Sequence, residues 1–264
     1  MRIVIYSKQK FIVHYSTYKH ILKITLPIKK QPKKTIPKKI INHNKIIVID
    51  AGHGGRDAGG IGHGIKEKNI VLPVSKYLKY ELSKRGYKVY LTRYKDKFIT
   101  LRNRTKFANR KKADLFISLH CNIAPTKSSV HGIETYFLSP ARSARAKRVA
   151  KLENSAIGNL KSTTQNIVLN FLNKNRIIDS TKLSIDIQKS LIYNLKKHYK
   201  NIRDGGVRPA PFWVLVGTNM PAILIEIGYL SNKQEAKRLN TKSYQKRIAK
   251  YIAEGIDNYF RKNR

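Results

Sequence analysis

Lys45–Asp50 reads KIIVID, and the residues that follow, 51–64, read AGHGGRDAGGIGHG. The first stretch is a continuous apolar run ending in an acid, the pattern of a strand buried on both faces. The second is a glycine-rich loop, and 68–85 behind it carry Ile70, Val74, Leu78 and Leu82 at four-residue spacing, closed by Lys84-Arg85-Gly86. That spacing predicts an amphipathic helix with a glycine stop. Strand, loop and helix together start an α/β fold.

The alternation continues along the chain. Lys88–Thr92 reads as a strand and Thr100–Lys112 as a helix. Asp114–Leu119 (DLFISL), Ile133–Leu138 (IETYFL), Phe212–Val216 and Ala222–Ile227 (AILIEI) read as further strands, and about 232–261 as helix. The expected fold is α/β, a mostly parallel twisted sheet of about six strands flanked by helices. Ahead of it, residues 1–28 read as a short β segment with strands at Arg2–Tyr6, Phe11–Tyr15 and Ile21–Leu26. A unit of about that size is too small to hold a core alone. Residues 29–44 contain KKQPKKTIPKK at 29–39 and read as a Lys/Pro linker. The main domain is expected over 45–262.

Composition narrows the class. The 264 residues carry 55 Lys+Arg against 15 Asp+Glu, a formal net charge of +40, while 41% are hydrophobic, enough for a core. One Cys excludes a disulfide framework and any Cys-based zinc cluster. No apolar run approaches the roughly 20 residues of a membrane helix. The start shows no apolar signal core, because Ser7, Lys8, Gln9 and Lys10 interrupt it. The basic residues are spread along the whole chain. They reflect either a compositional bias or retention at an anionic surface, and no nucleic-acid-binding signature accompanies them.

Four polar residues stand out against this map. His53 lies just past KIIVID, His120 directly follows DLFISL, Glu226 lies within the apolar AILIEI, and Glu67 opens the helix after the glycine loop. Ligands of open α/β sheets bind outside the carboxyl ends of the strands, so all four converge on one edge. Two His and a Glu suit zinc with a position left for water. Taken singly, His53 and His120 are ordinary post-strand residues and Glu67 a helix-start acid. Glu226 is different, since a carboxylate in such a run is costly to bury unless paired or near a metal.

The blocks IVIDAGHGGRDAGG, GIKEKNI, LTR with Asp96, LRNRTKFANRKKADLFISLHCN and PAILIEIGYLSN, in this order, resemble the zinc-dependent N-acetylmuramoyl-L-alanine amidases. The resemblance runs from about Lys45 to Phe260. It implies hydrolysis of the amide between N-acetylmuramic acid and L-alanine of peptidoglycan, with Zn2+ on His53, Glu67 and His120 and with Glu226 as the catalytic carboxylate. It also implies a periplasmic or extracellular place of action, in wall remodelling and daughter-cell separation. Another zinc hydrolase or peptidase on this scaffold, or a non-catalytic wall-binding protein, are the competing readings. Asn122 is a candidate substrate contact or loop-orienting residue. Cys121 is expected to face away from the metal as a packed thiol. Arg93 and Arg104 are expected to be structural, paired with Asp96 or Asp114.

About seventy residues separate the strand ending near Leu138 from the one starting near Phe212, whereas a crossover needs only a dozen or so. One helix, Lys182–Tyr199 capped by Asp179 or Ser180, is sufficient. The surplus, 141–175, reads as a helical insertion containing the apolar run Ile167–Leu172. Similar amidases of the cell-division type carry a lid here, and Glu153 is the one acid between Ala141 and Asn175. Glu153 is therefore the candidate regulatory residue that blocks the site, and the insertion the candidate docking point of an activator protein.

Overall fold

The computed structural model describes residues 14–18, 21–25, 44–124, 129–155 and 174–263. The chain divides into two units, Met1–Ile40 and Ile41–Arg264. In the first, β1 (His14–Tyr18) and β2 (Ile21–Thr25) pair as an antiparallel hairpin. The expected strand Arg2–Tyr6, the linker and the run Ile167–Leu172 lie outside the described residues.

The second unit is built on six strands: β3 (Ile46–Ala51), β6 (Lys88–Leu91), β7 (Leu115–Asn122), β8 (Ile133–Leu138), β9 (Asp204–Ala210) and β10 (Ala222–Tyr229). Their order across the sheet is β6-β3-β7-β10-β8-β9. Every pairing is parallel except β10 with β8. Two-residue strands β4 (Ile61–Gly62) and β5 (Ile65–Lys66) close a small ribbon in the glycine loop.

Period-2 alternation sorts each strand between two faces. Leu115, Ile117, Leu119 and Cys121 of β7, with Ile223, Ile225 and Ile227 of β10, join the larger core. Three helices cover that face: α1 (Glu67–Ser83), α4 (Lys174–Leu195) and α6 (Lys242–Lys262). The other face carries Val48, Phe116 and Leu224 at its apolar end, packed with α2 (Leu101–Arg110) and α3 (Ala144–Glu153). Its remaining end is polar, and the site lies there. α5 (Lys233–Leu239) caps the end of β10, with Asn232 Oδ1 accepting from the amides of Gln234 and Glu235.

Three expectations need correction. The edge strand after the insertion is Asp204–Ala210 (DGGVRPA), and the expected strand at Phe212–Val216 instead holds a 3-10 turn at Trp213–Leu215. Phe212, Val214 and Leu215 are apolar because they fill the core beside Tyr136, not because they join a ladder. The crossover helix starts at Lys174, eight residues before the expected Lys182, so Asp179 and Ser180 are interior. Ser180 Oγ accepts from the Ala222 amide at the foot of β10 instead of capping. The carboxyl-terminal helix is two helices, interrupted at Asn240 and Thr241, with Thr241 Oγ1 accepting from the Tyr244 amide.

Candidate metal centre

His53 sits in the loop after β3 with φ 56°, a left-handed conformation disfavoured for a residue with a Cβ. Two buried arginines hold it there. Arg104 Nη2 donates to the His53 carbonyl at 2.9 Å, while its Nη1 donates to Asp50 Oδ1 at 2.8 Å and to the Ala51 carbonyl at 2.7 Å. Arg93 donates to the carbonyls of Ala51 and Gly52 at 2.9 and 2.8 Å. Both roles are structural, as expected, but the partners are not Asp96 and Asp114, which pair with Lys68 and Lys45. Asp57 Oδ2 lies 2.9 Å from His53 Nδ1, which leaves Nε2 facing the site.

Glycine makes this approach possible at two points. A Cβ on Gly52 would stand 2.5 Å from the His120 ring. Gly59, at φ +67°, would place one 2.6 Å from both Glu67 Oε2 and the His53 ring. No larger residue fits either position.

Glu67 is the first residue of α1, and its carboxylate is fully buried. Oε1 accepts from the Cys121 amide and Oε2 from the Gly60 amide, both at 2.8 Å. His120 arrives from β7. Glu153, the last residue of α3, reaches across from the insertion. Four contacts close a ring: Glu67 Oε1 lies 3.2 Å from His53 Nε2 and 3.1 Å from His120 Nδ1, and Glu153 Oε2 lies 3.2 and 2.7 Å from the same nitrogens. These contacts are short but not aligned as hydrogen bonds, and among the described residues His53 Nε2, His120 Nδ1 and Glu153 Oε2 have no hydrogen-bond partner.

The four ligand atoms lie within 4.8 Å of one another. Donors bound tetrahedrally at about 2.0–2.1 Å stand about 3.3 Å apart, close to the spacing here, so the residues fit a metal ion. The electrostatics agree. Burial alone would lower both imidazoles, yet the surrounding carboxylates outweigh it: Glu67 and Asp57 raise His53, and Glu153 with Glu67 pushes His120 up to about 10. Burial would raise Glu67, but the two imidazoles hold it well below the carboxylate range. The cluster demands positive charge.

Glu226 pairs in register with His120 on one side and Glu134 on the other, so the three share a face of the sheet. It is fully buried, and among the described residues neither carboxylate oxygen has a hydrogen-bond partner. Burial and the charge of Glu153 raise its carboxyl well above the usual range. Asn122 donates to Tyr229 Oη at 3.2 Å and to Glu134 Oε2 at 3.4 Å. Cys121 points to the opposite face, into the core, where burial pushes its thiol up. His63 lies 3.2 Å from the Ser231 carbonyl and His131 2.9 Å from that of Ser129, both away from the cluster. Beside His53, a cavity of about 270 Å³ opens between Arg56, Asp57, Phe98, Leu101 and Glu153.

A buried His/Glu cluster and an adjoining unpartnered carboxylate, on the carboxyl edge of an α/β sheet, define a metal-dependent hydrolase. Residues 47–258 match the family model described as N-acetylmuramoyl-L-alanine amidase, and the chain belongs to that family. It is an enzyme that hydrolyses the amide between N-acetylmuramic acid and L-alanine in peptidoglycan. Among its relatives, the N-acetylmuramoyl-L-alanine amidase AmiA of Escherichia coli (strain K12) is 34% identical over 226 residues, 82% of this chain and 76% of the relative. The solved structure of the amidase AmiC2 of Nostoc punctiforme has a TM-score of 0.63 at 29% identity, covering 82% of this chain and 97% of that one. The CwlD amidase from Clostridioides difficile, solved in complex with the GerS lipoprotein, has a TM-score of 0.63 at 26% identity, covering 83% and 100%.

Sequence reading missed Glu134, which shares the sheet face of His120 and Glu226. Glu134 carried a usable signal, an acid inside the apolar strand IETYFL, the same feature that singles out Glu226.

Proposed function

We propose that the metal is zinc, that His53, Glu67 and His120 are its protein ligands, and that Glu226 is the catalytic carboxylate. One observation carries the reading: buried nitrogens of two imidazoles, without hydrogen-bond partners among the described residues, converge with the buried Glu67 carboxylate, and a fourth donor, Glu153 Oε2, comes from a separate helix. That set is the donor chemistry of a hydrolytic zinc site with one exchangeable position. Bound there, zinc polarises the scissile carbonyl and acidifies water toward a pKa of about 7. Glu226 accepts the proton of the attacking water and returns it to the departing L-alanine nitrogen as the C–N bond breaks. Its raised carboxyl pKa favours the second transfer. The unpartnered Oδ1 of Asn122 supports a contact with a substrate N–H. No covalent enzyme intermediate is required.

Glu153 is the resting occupant of the exchangeable position in this reading, and 141–175 is a regulatory insertion. α3 is also fastened just past Glu153, where Asn154 donates to the Pro211 carbonyl and accepts from the Trp213 amide, both at 2.9 Å. An activator protein would lift it, and CwlD with GerS offers a precedent for a protein partner of this fold. Residues 45–262 form the catalytic domain, 29–44 a linker, and 1–28 a remnant of a wall-targeting domain. The enzyme works on peptidoglycan in the periplasm or outside the cell, in wall remodelling and daughter-cell separation. Among the described residues no helix is long and apolar enough to cross a membrane.

The test is product analysis on purified peptidoglycan together with zinc content. Free stem peptides with intact glycan strands, lost with chelator and restored by Zn2+, are expected. Cleaved glycan strands, or full activity without metal, would overturn the reading.

A further inference from the structure

α3 carries a second charged contact, eight residues before Glu153. The Arg145 guanidinium contacts the Glu134 carboxylate, donates to Tyr229 Oη at 2.6 Å and stacks over the Tyr229 ring at 5.6 Å. Glu134 is fully buried. Its Oε2 accepts from Tyr136 Oη at 2.7 Å, Tyr229 Oη at 3.3 Å and Asn122 Nδ2 at 3.4 Å. Among the described residues its Oε1 has no hydrogen-bond partner and faces the charges of Arg145 and of Arg208, whose Nε is 3.7 Å away. A buried carboxylate needs a counter-charge. Here the nearer one comes from a helix outside the sheet.

Two independent rulers measure the same separation. His120, Glu226 and Glu134 occupy three adjacent strands in register, so two strand spacings of about 4.8 Å put Glu134 about 10 Å from His120. Eight helical residues from Arg145 to Glu153 advance about 12 Å. One helix therefore lays an anion on the metal centre and a cation on Glu134. With α3 away, the cleft would keep that bipolar demand: an oxygen at one end and a cation about 10–12 Å off. In extended peptide at about 3.3 Å per residue, that span is about three residues.

We propose that Glu134 is a cation subsite of the cleft, which takes, in place of Arg145, a side-chain ammonium carried about three residues beyond the scissile amide. Its ligand class is a stem peptide with a free diamino acid at that position. Glu226 lies between metal centre and subsite, so the departing peptide runs over Glu226 toward Glu134. The competing role for Glu134 is a structural counter-ion for Arg145 and Arg208.

The proposal rests on the amidase activity, and the test separates the two. Muropeptides with a free third-residue amine, and the same fragments N-acetylated, are compared in steady-state hydrolysis by wild type, Glu134→Gln and Arg145→Met. Wild type should show a KM about tenfold lower for the free amine, the scale of a charge-assisted hydrogen bond. The preference should persist in Arg145→Met, which breaks the same ion pair but keeps the carboxylate, and vanish in Glu134→Gln. Equal KM values in wild type, or loss of the preference in both variants alike, would overturn the subsite. If Glu134→Gln fails to fold, Glu134→Gln/Arg145→Met against Arg145→Met gives the same comparison with both buried charges removed. Cleavage of neither fragment by wild type or by Glu153→Gln, which frees the blocked position, would remove the activity itself, and the subsite with it.

Discussion

Arg104→Met tests the support beneath His53. Arg104 and Asp50 are both buried, paired at 2.8 Å, and Asp50 also accepts from Thr92 at 2.6 Å and Ser118 at 2.8 Å. Methionine fills much of the volume but leaves Asp50 charged and unpaired, which costs about 3–5 kcal/mol. At about 2–4 °C per kcal/mol for a domain of this size, the melting temperature should fall by roughly 10 °C. Urea unfolding should show a lower midpoint at unchanged m, and metal affinity should fall too, because the His53 carbonyl loses its donor. The deficit has a pH signature. In the wild type, burial would raise Asp50, but the Arg104 charge and the Thr92 and Arg104 hydrogen bonds hold it below the carboxylate range. Its contribution is therefore present above the unfolded pKa and lost as pH falls through the lower native value. In the variant only burial and the remaining hydrogen bonds act, so Asp50 shifts up and is stabilised by protonation. The gap between the proteins should narrow as pH falls from 7 toward 4. Asp50→Asn added to Arg104→Met should recover about 2 kcal/mol. A loss under about 1 kcal/mol, or a gap independent of pH, would refute the reasoning.

Other substitutions probe the centre directly. His53→Ala, Glu67→Ala and His120→Ala should each release the metal, measured as stoichiometry after dialysis, and retention by any of them removes that residue from the donor set. Glu226→Gln should keep the metal and lose at least about 10² in hydrolysis, and near-normal turnover would assign the base elsewhere. Glu153→Gln, or deletion of residues 145–175, should raise basal hydrolysis at unchanged metal content, whereas a folded, metal-loaded variant no faster than its parent would exclude an inhibitory role. If the +40 charge retains the enzyme on an anionic wall, binding to insoluble sacculi should weaken steeply from low to high salt; salt-independent retention points to compositional bias.

The elements legible in the sequence were those that physics marks locally. KIIVID and AILIEI are buried on both faces and therefore read as unbroken apolar runs. Glu226 was legible because an acid inside such a run demands an explanation. The edge strand DGGVRPA was not legible, because β9 pairs on one side only and so tolerates two glycines and Pro209, which sequence reading treats as loop. The partner of Arg104 was missed for a related reason. Sequence reading paired the arginines with nearby hydrophilic acids, whereas Asp50 closes the apolar strand KIIVID, fifty-four positions from its partner. The start of α4 was hidden by Asp179 and Ser180, which resemble caps but face tertiary partners or solvent.

The order of strands also fixes an order of assembly. β7 and β8 are consecutive in sequence yet do not pair in the sheet; β10 separates them, and it is made about a hundred residues after β7. As the chain leaves the ribosome, His53, Glu67 and His120 have all emerged by residue 120, but the slot beside His120 stays empty until residues 222–229 arrive to fill it. Closing so distant a pairing is the slow kind of folding step, and until it happens two strand edges lie open. Glu226 rides on that last strand. In the proposed reading, a half-made chain can therefore gather the three donors but holds no Glu226, and the polypeptide becomes competent only when β10 is inserted.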